Sequence, residues 1–272
     1  MAQNEWSALG WKDPFWEIVR YYFSLRGKEQ SEFRTSLKSS PPLDKASDWK
    51  QVLTLSPTIS GQLENYLAFR EKQLSSALGK LRTETEAQAF CKENDIVWKI
   101  TATQSKDHHQ SSKALIAAVT GIASKVCASS MTTLEPNPQR RCVWAIENHL
   151  HVTARNLDGA IPGLKNPSVV WEIKEYWGKT SGGSKMSDAV YECNLVGREI
   201  REFELRAKTK IKHYVFVDGR EQWLTRKSDL GRFIDLESQG FIDRLFVGRE
   251  VETDWESELT RVLKCFAPEA NQ

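Results

Sequence analysis

The stretch Val169-Val170-Trp171-Glu172-Ile173-Lys174 decides how this 272-residue chain is interpreted. Its β-branched and aromatic residues follow a turn-forming segment, 163–167, so we predict a β-strand that is entered from a hairpin. Side chains on a strand alternate between its two faces, so Glu172 and Lys174 point the same way and their neighbours point to the other face. Two charged residues on one face at the end of an apolar strand indicate a functional site.

A third charged residue, Asp158, lies upstream of Glu172 at a turn with Gly159. The segment 149–154 alternates between apolar and polar residues, as a half-buried strand does, and it ends shortly before this turn. We expect an antiparallel return from this strand to bring Asp158 close to Glu172. Taken alone, Asp158-Gly159 would indicate only a turn.

Two carboxylates and an ammonium group meet the chemical demands of phosphodiester hydrolysis. A divalent ion held by carboxylates neutralises charge on the phosphate and lowers the pKa of the attacking water. Mg²⁺ prefers oxygen ligands and keeps several waters, so Asp158 and Glu172, joined by the Ile173 carbonyl, would suffice to bind it. Lys174 would then contact the scissile phosphate or the attacking water.

Asp158 followed by Glu172-Ile173-Lys174 resembles the D…(D/E)xK signature of the PD-(D/E)xK nuclease superfamily, which includes most type II restriction endonucleases. The resemblance covers about residues 113–225, and Leu157 stands where the motif has proline. It implies an α/β fold with a central mixed sheet flanked by helices, Mg²⁺-dependent cleavage of double-stranded DNA, and frequently a homodimer. It also implies that Asp158, Glu172 and Lys174 are catalytic, and that Asp158, Glu172 and Ile173 bind the metal.

An acid-x-lysine triplet is common by chance, and a second copy lies at Asp48-Trp49-Lys50. That copy follows the polar stretch 39–42 and has no apolar strand around it, so we prefer the copy at Glu172. The alternative for Glu172 and Lys174 is an ion pair on a solvated sheet face, which is an ordinary arrangement without catalytic consequence.

The chain after Lys174 continues in the order that the superfamily fold requires. A loop rich in glycine, serine and lysine, 175–185, precedes a helix that we predict from Ser187 to Ala207, with Ser187 as its N-cap. A strand over 212–217 follows, so we predict a strand-helix-strand unit with parallel strands and a right-handed crossover. Asp218 is interpreted as a turn residue, and Glu192 as an outward, solvated side chain whose alternative role is to support a metal-bound water.

Polar and basic residues near these elements are candidates for contact with DNA. Loop amides and lysines near a helix start can hold a phosphate, and arginines near a cleft can position the DNA backbone. A flexible surface loop and a solvated basic cluster remain open as alternatives. The candidate DNA-binding residues are Lys179, Ser181, Lys185, Arg226 and Lys227.

Two regions are predicted from the remaining pattern. Apolar residues at helical spacing in 11–25, 63–78 and 85–94 predict a helical N-terminal region, 1–110, that covers the core, contacts DNA or forms a dimer face. Residues 111–272 are predicted to form the nuclease core, with a buried helix over 113–127 and with C-terminal helices built from the apolar residues between 230 and 247.

Composition limits the classes of protein and partner. The chain has 38 basic and 36 acidic residues and a net charge of +2, so attraction to DNA must come from local patches. Five scattered cysteines without a Cys-x-x-Cys pair predict free thiols. The N-terminal sequence shows no secretory leader, which predicts a cytoplasmic protein, and the helix predicted over 113–127 is too short to span a membrane. Two alternatives to a restriction enzyme remain: a repair, phage-defence or structure-specific nuclease, and a non-catalytic protein that binds DNA or another protein.

Overall fold

The structure is a computed structural model that describes residues 5–38, 59–100, 111–178 and 183–266. The chain divides into two compact units, Met1–Gln73 with Ser238–Gly240 and Leu74–Glu237 with Phe241–Gln272. The predicted helical region 1–110 and the predicted core 111–272 stay predictions. The second acid-x-lysine triplet and the candidate residues Lys179 and Ser181 lie outside the described residues.

The first unit is helical and is organised around aromatic side chains. Trp16 is fully buried and donates a hydrogen bond from Nε1 to the Gly10 carbonyl. Its ring packs edge-on against Tyr66, so apolar residues that were predicted at helical spacing in 11–25 form the core of this unit. The elements are a 3₁₀ helix at Glu5–Leu9, α1 at Phe15–Ser24, α2 at Lys28–Lys38 and α3 at Ile59–Lys80, the last of which extends into the second unit.

The second unit combines helices with a mixed sheet. Helix α4 begins with a capping box in which Thr83 and Glu86 exchange hydrogen bonds. The helices are α4 at Glu84–Glu93, α5 at Ala114–Ser129, α6 at Gly183–Ala207, α7 at Arg220–Thr225, α8 at Lys227–Ser238, α9 at Glu250–Thr253 and α10 at Trp255–Phe266. The strands are β1 at Glu135–Pro136, β2 at Val143–Ile146, β3 at His149–Val152, β4 at Gly159–Ile161, β5 at Val169–Glu175, β6 at Lys212–Asp218 and β7 at Arg244–Val247.

The central sheet has five strands in the order β1-β4-β5-β6-β7. Strand β4 runs antiparallel to β1 and β5, whereas β5, β6 and β7 are parallel to one another. The predicted mixed sheet and the parallel strand-helix-strand unit β5-α6-β6 are thereby confirmed. Strand β5 lies where antiparallel pairing changes to parallel pairing, so its two edges meet different partners.

Helices cover both faces of this sheet. On one face, Trp171 packs with residues of α5 and α10. On the other face, Val170 packs with Val196 and Ile200 of α6. The alternation predicted for β5 is confirmed, but the face that carries Glu172 and Lys174 is covered by α6 and is not solvated.

Several local predictions differ from the structure. The segment at 245–247 is a parallel strand, so the predicted helix is wrong. A short apolar run has no periodicity that separates a buried strand from a buried helix, so the sequence could not distinguish the two. Strand β3 pairs with β2 in a separate two-stranded sheet, and it is β4 that returns along β5. Asp218 is fully buried and pairs with Arg82 at 2.7 Å, so it is more than a turn residue.

Across these described ranges, no helix is long and apolar enough to cross a membrane.

Candidate active site

Asp158 directly precedes β4 and lies beside the middle of β5. Its backbone N–H donates to the Trp171 carbonyl at 3.0 Å, and its carboxylate Oδ2 accepts from the Ile173 N–H at 2.7 Å. Gly159 permits this approach, because a Cβ atom at its position would lie 2.0 Å from the Trp171 ring. Asp158 therefore meets the edge of β5 at Ile173, the neighbour of Glu172. The strand that pairs with β5 here is β4, and not the predicted strand at 149–154.

Glu172 and Lys174 form a buried ion pair on the opposite face from Trp171. Lys174 Nζ lies 2.9 Å from Glu172 Oε2, and the two side chains are 6% and 1% exposed. Burial makes this pair unlike the solvated pair considered as an alternative. Two buried charges that satisfy each other are costly to separate, so the pair is fixed in the fold.

Two further side chains complete a charged cluster. Glu192 of α6 receives a hydrogen bond from Lys174 Nζ at 2.9 Å, and it also forms an ion pair with Arg155. Arg155 Nε lies 3.8 Å from Glu172 Oε2. Glu192 was predicted to be an outward, solvated side chain: it is 39% exposed, but it also contacts the lysine of the site, which the sequence did not predict.

The electrostatics of the cluster follow from burial and from these neighbours. Burial raises the pKa of Asp158, and this effect outweighs the Ile173 hydrogen bond and the charge of Lys174. Burial also acts to raise the pKa of Glu172, but the Lys174 and His213 side chains outweigh it and hold that pKa well below its usual range. The pKa of Lys174 is raised in turn, because Glu172 overcomes the desolvation that favours the neutral amine.

Three buried polar atoms in or beside the cluster have no hydrogen-bond partner among the described residues. Within the described part of the chain, Glu172 Oε1, Arg155 Nε and His213 Nε2 are buried and unbonded. Buried polar groups are bonded in the great majority of cases, so three such atoms in one cluster point to a site that is completed by something else.

The donor set suits a hard cation. No described group of three or more histidine, cysteine, aspartate or glutamate side chains could hold a metal ion. Mg²⁺ requires fewer, since it is commonly held by one or two carboxylates and several waters. The Trp171 carbonyl and the Ile173 N–H both point to the edge of β5 that faces β4. The N–H and the carbonyl of one strand residue point to the same side, so the Ile173 carbonyl also points to this edge, toward Asp158.

The candidate DNA-binding residues that the structure describes are not part of the charged cluster. Lys185 is exposed, and its carbonyl accepts from the Tyr176 hydroxyl at 3.4 Å. Arg226 donates to Ser187 Oγ at 2.8 Å and pairs with Asp229, whereas Lys227 is exposed. Helix α6 begins at Gly183, so Ser187 is not the N-cap, and its hydroxyl binds arginine instead.

Three residues next to Glu172 or Lys174 were not identified as site residues from the sequence: Arg155, His213 and Glu192 in its role as a partner of Lys174. Arg155 stands three positions before Asp158, in a loop without a recognisable pattern. His213 is the second residue of β6 and reads as part of an apolar strand. The roles of Arg155 and His213 depend on which strands are neighbours in the sheet. Glu192 alone offered a local signal, because it lies in the first half of the helix that follows the strand of Lys174.

A mixed sheet covered by helices, with a buried cluster of acidic and basic side chains on its central strand, defines an α/β protein with a candidate active site. The chain belongs to the family described as a domain of unknown function (DUF7687), which matches residues 81–262. The match includes every residue of the charged cluster. Comparisons with curated proteins and with solved structures gave no match.

Proposed function

We propose that this protein is a Mg²⁺-dependent endonuclease of the PD-(D/E)xK type that hydrolyses double-stranded DNA. One observation carries the proposal: the Asp158 carboxylate bonds to the backbone of Ile173, between Glu172 and Lys174 on the same strand. Asp158 thereby meets the segment Glu172–Lys174 at the backbone of its middle residue, although it lies outside that strand in sequence. The mixed α/β sheet and the covering helices support the same class.

Asp158 and Glu172 would hold the metal, with the Ile173 carbonyl as a third oxygen donor. Bound Mg²⁺ would supply neutralisation of phosphate charge and activation of water. Glu172 Oε1 is buried and has no hydrogen-bond partner among the described residues, so it can offer a lone pair to a cation without first losing a hydrogen bond. Asp158 keeps Oδ2 on the Ile173 N–H, which fixes the orientation of its carboxylate.

Lys174 would stabilise negative charge on the phosphate or orient the nucleophile. Its ammonium has three donors, of which two are directed to Glu172 and Glu192. Because its pKa is raised, the group remains positively charged at neutral pH and cannot act as a general base there. Its contribution is therefore electrostatic, of the kind that is strongest in a site screened from water.

Double-stranded DNA is the proposed substrate, and site-specific cleavage by a homodimer is the proposed mode of action. Two-fold symmetry of the protein would match a palindromic site and place one cluster on each strand. Lys185, Arg226 and Lys227 are proposed to contact phosphates, since basic side chains at the surface can position DNA without reading its sequence.

A second function is favoured by one specific observation. Lys174 and Arg155 already neutralise Glu172 and Glu192, which is also how a structural ion network satisfies itself. A protein that binds DNA or another protein without catalysis would retain such a network and would need no metal. Metal dependence therefore separates the two functions.

The test is incubation of the purified protein with phage DNA and with Mg²⁺ or EDTA, followed by gel electrophoresis. The variants are Asp158→Ala and Lys174→Ala, and the matched control is Glu93→Gln, which changes an exposed acid outside the cluster. Discrete metal-dependent fragments that are lost in both variants and kept in the control would support a restriction-type nuclease. A smear would favour a less specific nuclease, and intact DNA would overturn the proposal.

A further inference from the structure

His213 is a fully buried histidine directly behind Glu172. It lies on β6, in register with Val170, so its ring shares the sheet face that carries the charged cluster. His213 Nε2 is 3.7 Å from Glu172 Oε1. Both atoms lack a hydrogen-bond partner among the described residues. Because 3.7 Å is longer than a hydrogen bond, the two atoms face each other without bonding.

The other side of the imidazole ring is anchored. His213 Nδ1 lies 3.1 Å from the Phe241 carbonyl, and a carbonyl only accepts, so Nδ1 carries a hydrogen. The other ring nitrogen, Nε2, is the atom that faces the Glu172 carboxylate. The thiol of Cys193, whose pKa burial raises well above the ordinary value, stays neutral beside this group.

The backbone of His213 is held as firmly as its ring. Its N–H donates to Asp243 Oδ2 at 2.8 Å, and its carbonyl accepts from the Asp243 N–H at 2.8 Å. Asp243 is fixed in turn by Arg201 at 2.6 Å and by Lys212 at 2.7 Å. The ring therefore has little freedom to move away from Glu172.

We propose that His213 is a positioning residue that orients the Glu172 carboxylate for a divalent cation. Lys174 donates a hydrogen bond to Glu172 Oε2, and the His213 ring lies next to Glu172 Oε1. With a neighbour at each oxygen, the carboxylate group has little freedom to rotate. Partners of metal-binding carboxylates typically contribute about 10- to 100-fold to metal affinity or activity. This inference rests on the proposed function, because it assigns Glu172 to the metal.

Two substitutions at this position separate the two contacts of the ring. In His213→Asn, the amide nitrogen lies where Nδ1 was and can still donate to Phe241, but nothing reaches Glu172. In His213→Gln, the longer side chain can place its amide nitrogen where Nε2 was, and the contact with Phe241 is lost. Mn²⁺ affinity is measured by calorimetry without DNA, and kcat and KM by cleavage with Mg²⁺.

His213→Asn is expected to weaken Mn²⁺ binding by about 10- to 100-fold and to lower kcat with little change in KM, whereas His213→Gln retains most of both. The reverse order would mean that the ring only anchors Phe241, and it would overturn the inference. Wild-type protein that neither binds Mn²⁺ nor cleaves DNA would overturn the proposed function, and this inference with it.

A measurement on the wild-type protein covers the case in which a variant fails to fold. In protein labelled with ¹⁵N-histidine, titration with Mg²⁺ should change the chemical shift of the His213 Nε2 resonance. The chemical shift of Nδ1, which is bonded to the Phe241 carbonyl, should change less. Cleavage activity accompanied by an unchanged Nε2 resonance would overturn the positioning role and leave the proposed function intact.

Discussion

Replacing Lys174 with methionine tests whether the buried pair stabilises the fold. The substitution keeps the length of the side chain and removes the ammonium group that contacts Glu172 and Glu192. Glu172, which is 1% exposed, then remains buried with a negative charge. Removal of one partner is far more costly than removal of both, because an uncompensated buried charge is left behind.

The magnitude follows from the contacts that remain. Breaking a buried ion pair costs about 3–5 kcal/mol. Glu172 keeps Arg155 at 3.8 Å and His213 at 3.7 Å, so we expect the lower end, about 3 kcal/mol. For a unit of this size that loss lowers Tm by roughly 6–12 °C. Since the folded state holds the pKa of Glu172 below its ordinary 4.5, the stabilisation is present above that pH and is lost as pH falls.

The assay is urea unfolding at neutral pH without divalent ions, with Lys210→Met as the control because Lys210 is exposed. The control should change the free energy of unfolding by less than about 0.5 kcal/mol. The double variant Lys174→Met/Glu172→Leu should recover most of the loss, because no unpaired charge remains. A loss below about 1 kcal/mol in Lys174→Met, or a double variant as unstable as the single one, would refute this reasoning.

Three further perturbations test neighbouring features. Arg155→Gln removes a cation from two carboxylates, so calorimetry should show tighter Mn²⁺ binding while DNA cleavage slows; weaker binding would contradict this. Burial raises the pKa of Glu237 to about 7, so its ionisation destabilises the fold as pH rises from 4.5 through 7. Glu237→Gln should therefore gain about 1–2 kcal/mol at pH 8 and nothing at pH 4, unlike the exposed control Glu221→Gln; equal gains at both pH values would refute the assignment. Gly159→Ala places a Cβ 2.0 Å from a tryptophan ring and should cost more than about 2 kcal/mol in urea unfolding, whereas Gly163→Ala, with open space around it, should not.

The central features of the fold were predictable because they depend on local pattern. The apolar run around Glu172 predicted β5, the helical spacing after it predicted most of α6, and their order predicted a parallel β6. These features need only one strand and its nearest neighbours in sequence. Proximity of Asp158 to Glu172 was predicted from an antiparallel return of the strand at 149–154, whereas in the structure β4 is the strand that pairs with β5.

The surroundings of the site were not predictable, because they depend on contacts between distant segments. Nothing near His213 in the sequence shows that its ring faces Glu172, since β6 joins β5 only after the 25-residue helix α6. The burial of Asp218 likewise depends on Arg82, which is 136 positions away. A charged residue at the end of a predicted strand reads as a turn until its distant partner is known.

The charge balance of the cluster constrains how a metal could enter it. Asp158, Glu172 and Glu192 carry three negative charges when ionised, and the positive charges of Lys174 and Arg155 compensate two of them. A divalent cation would therefore meet a group that is nearly neutral, and it would have to draw Arg155 away from the carboxylates. Arg155 is 33% exposed, whereas Lys174 is 6% exposed, so the arginine can turn to solvent or to a phosphate at lower cost. The same movement that admits the metal would then give the substrate a guanidinium partner, which couples the binding of cation and phosphate.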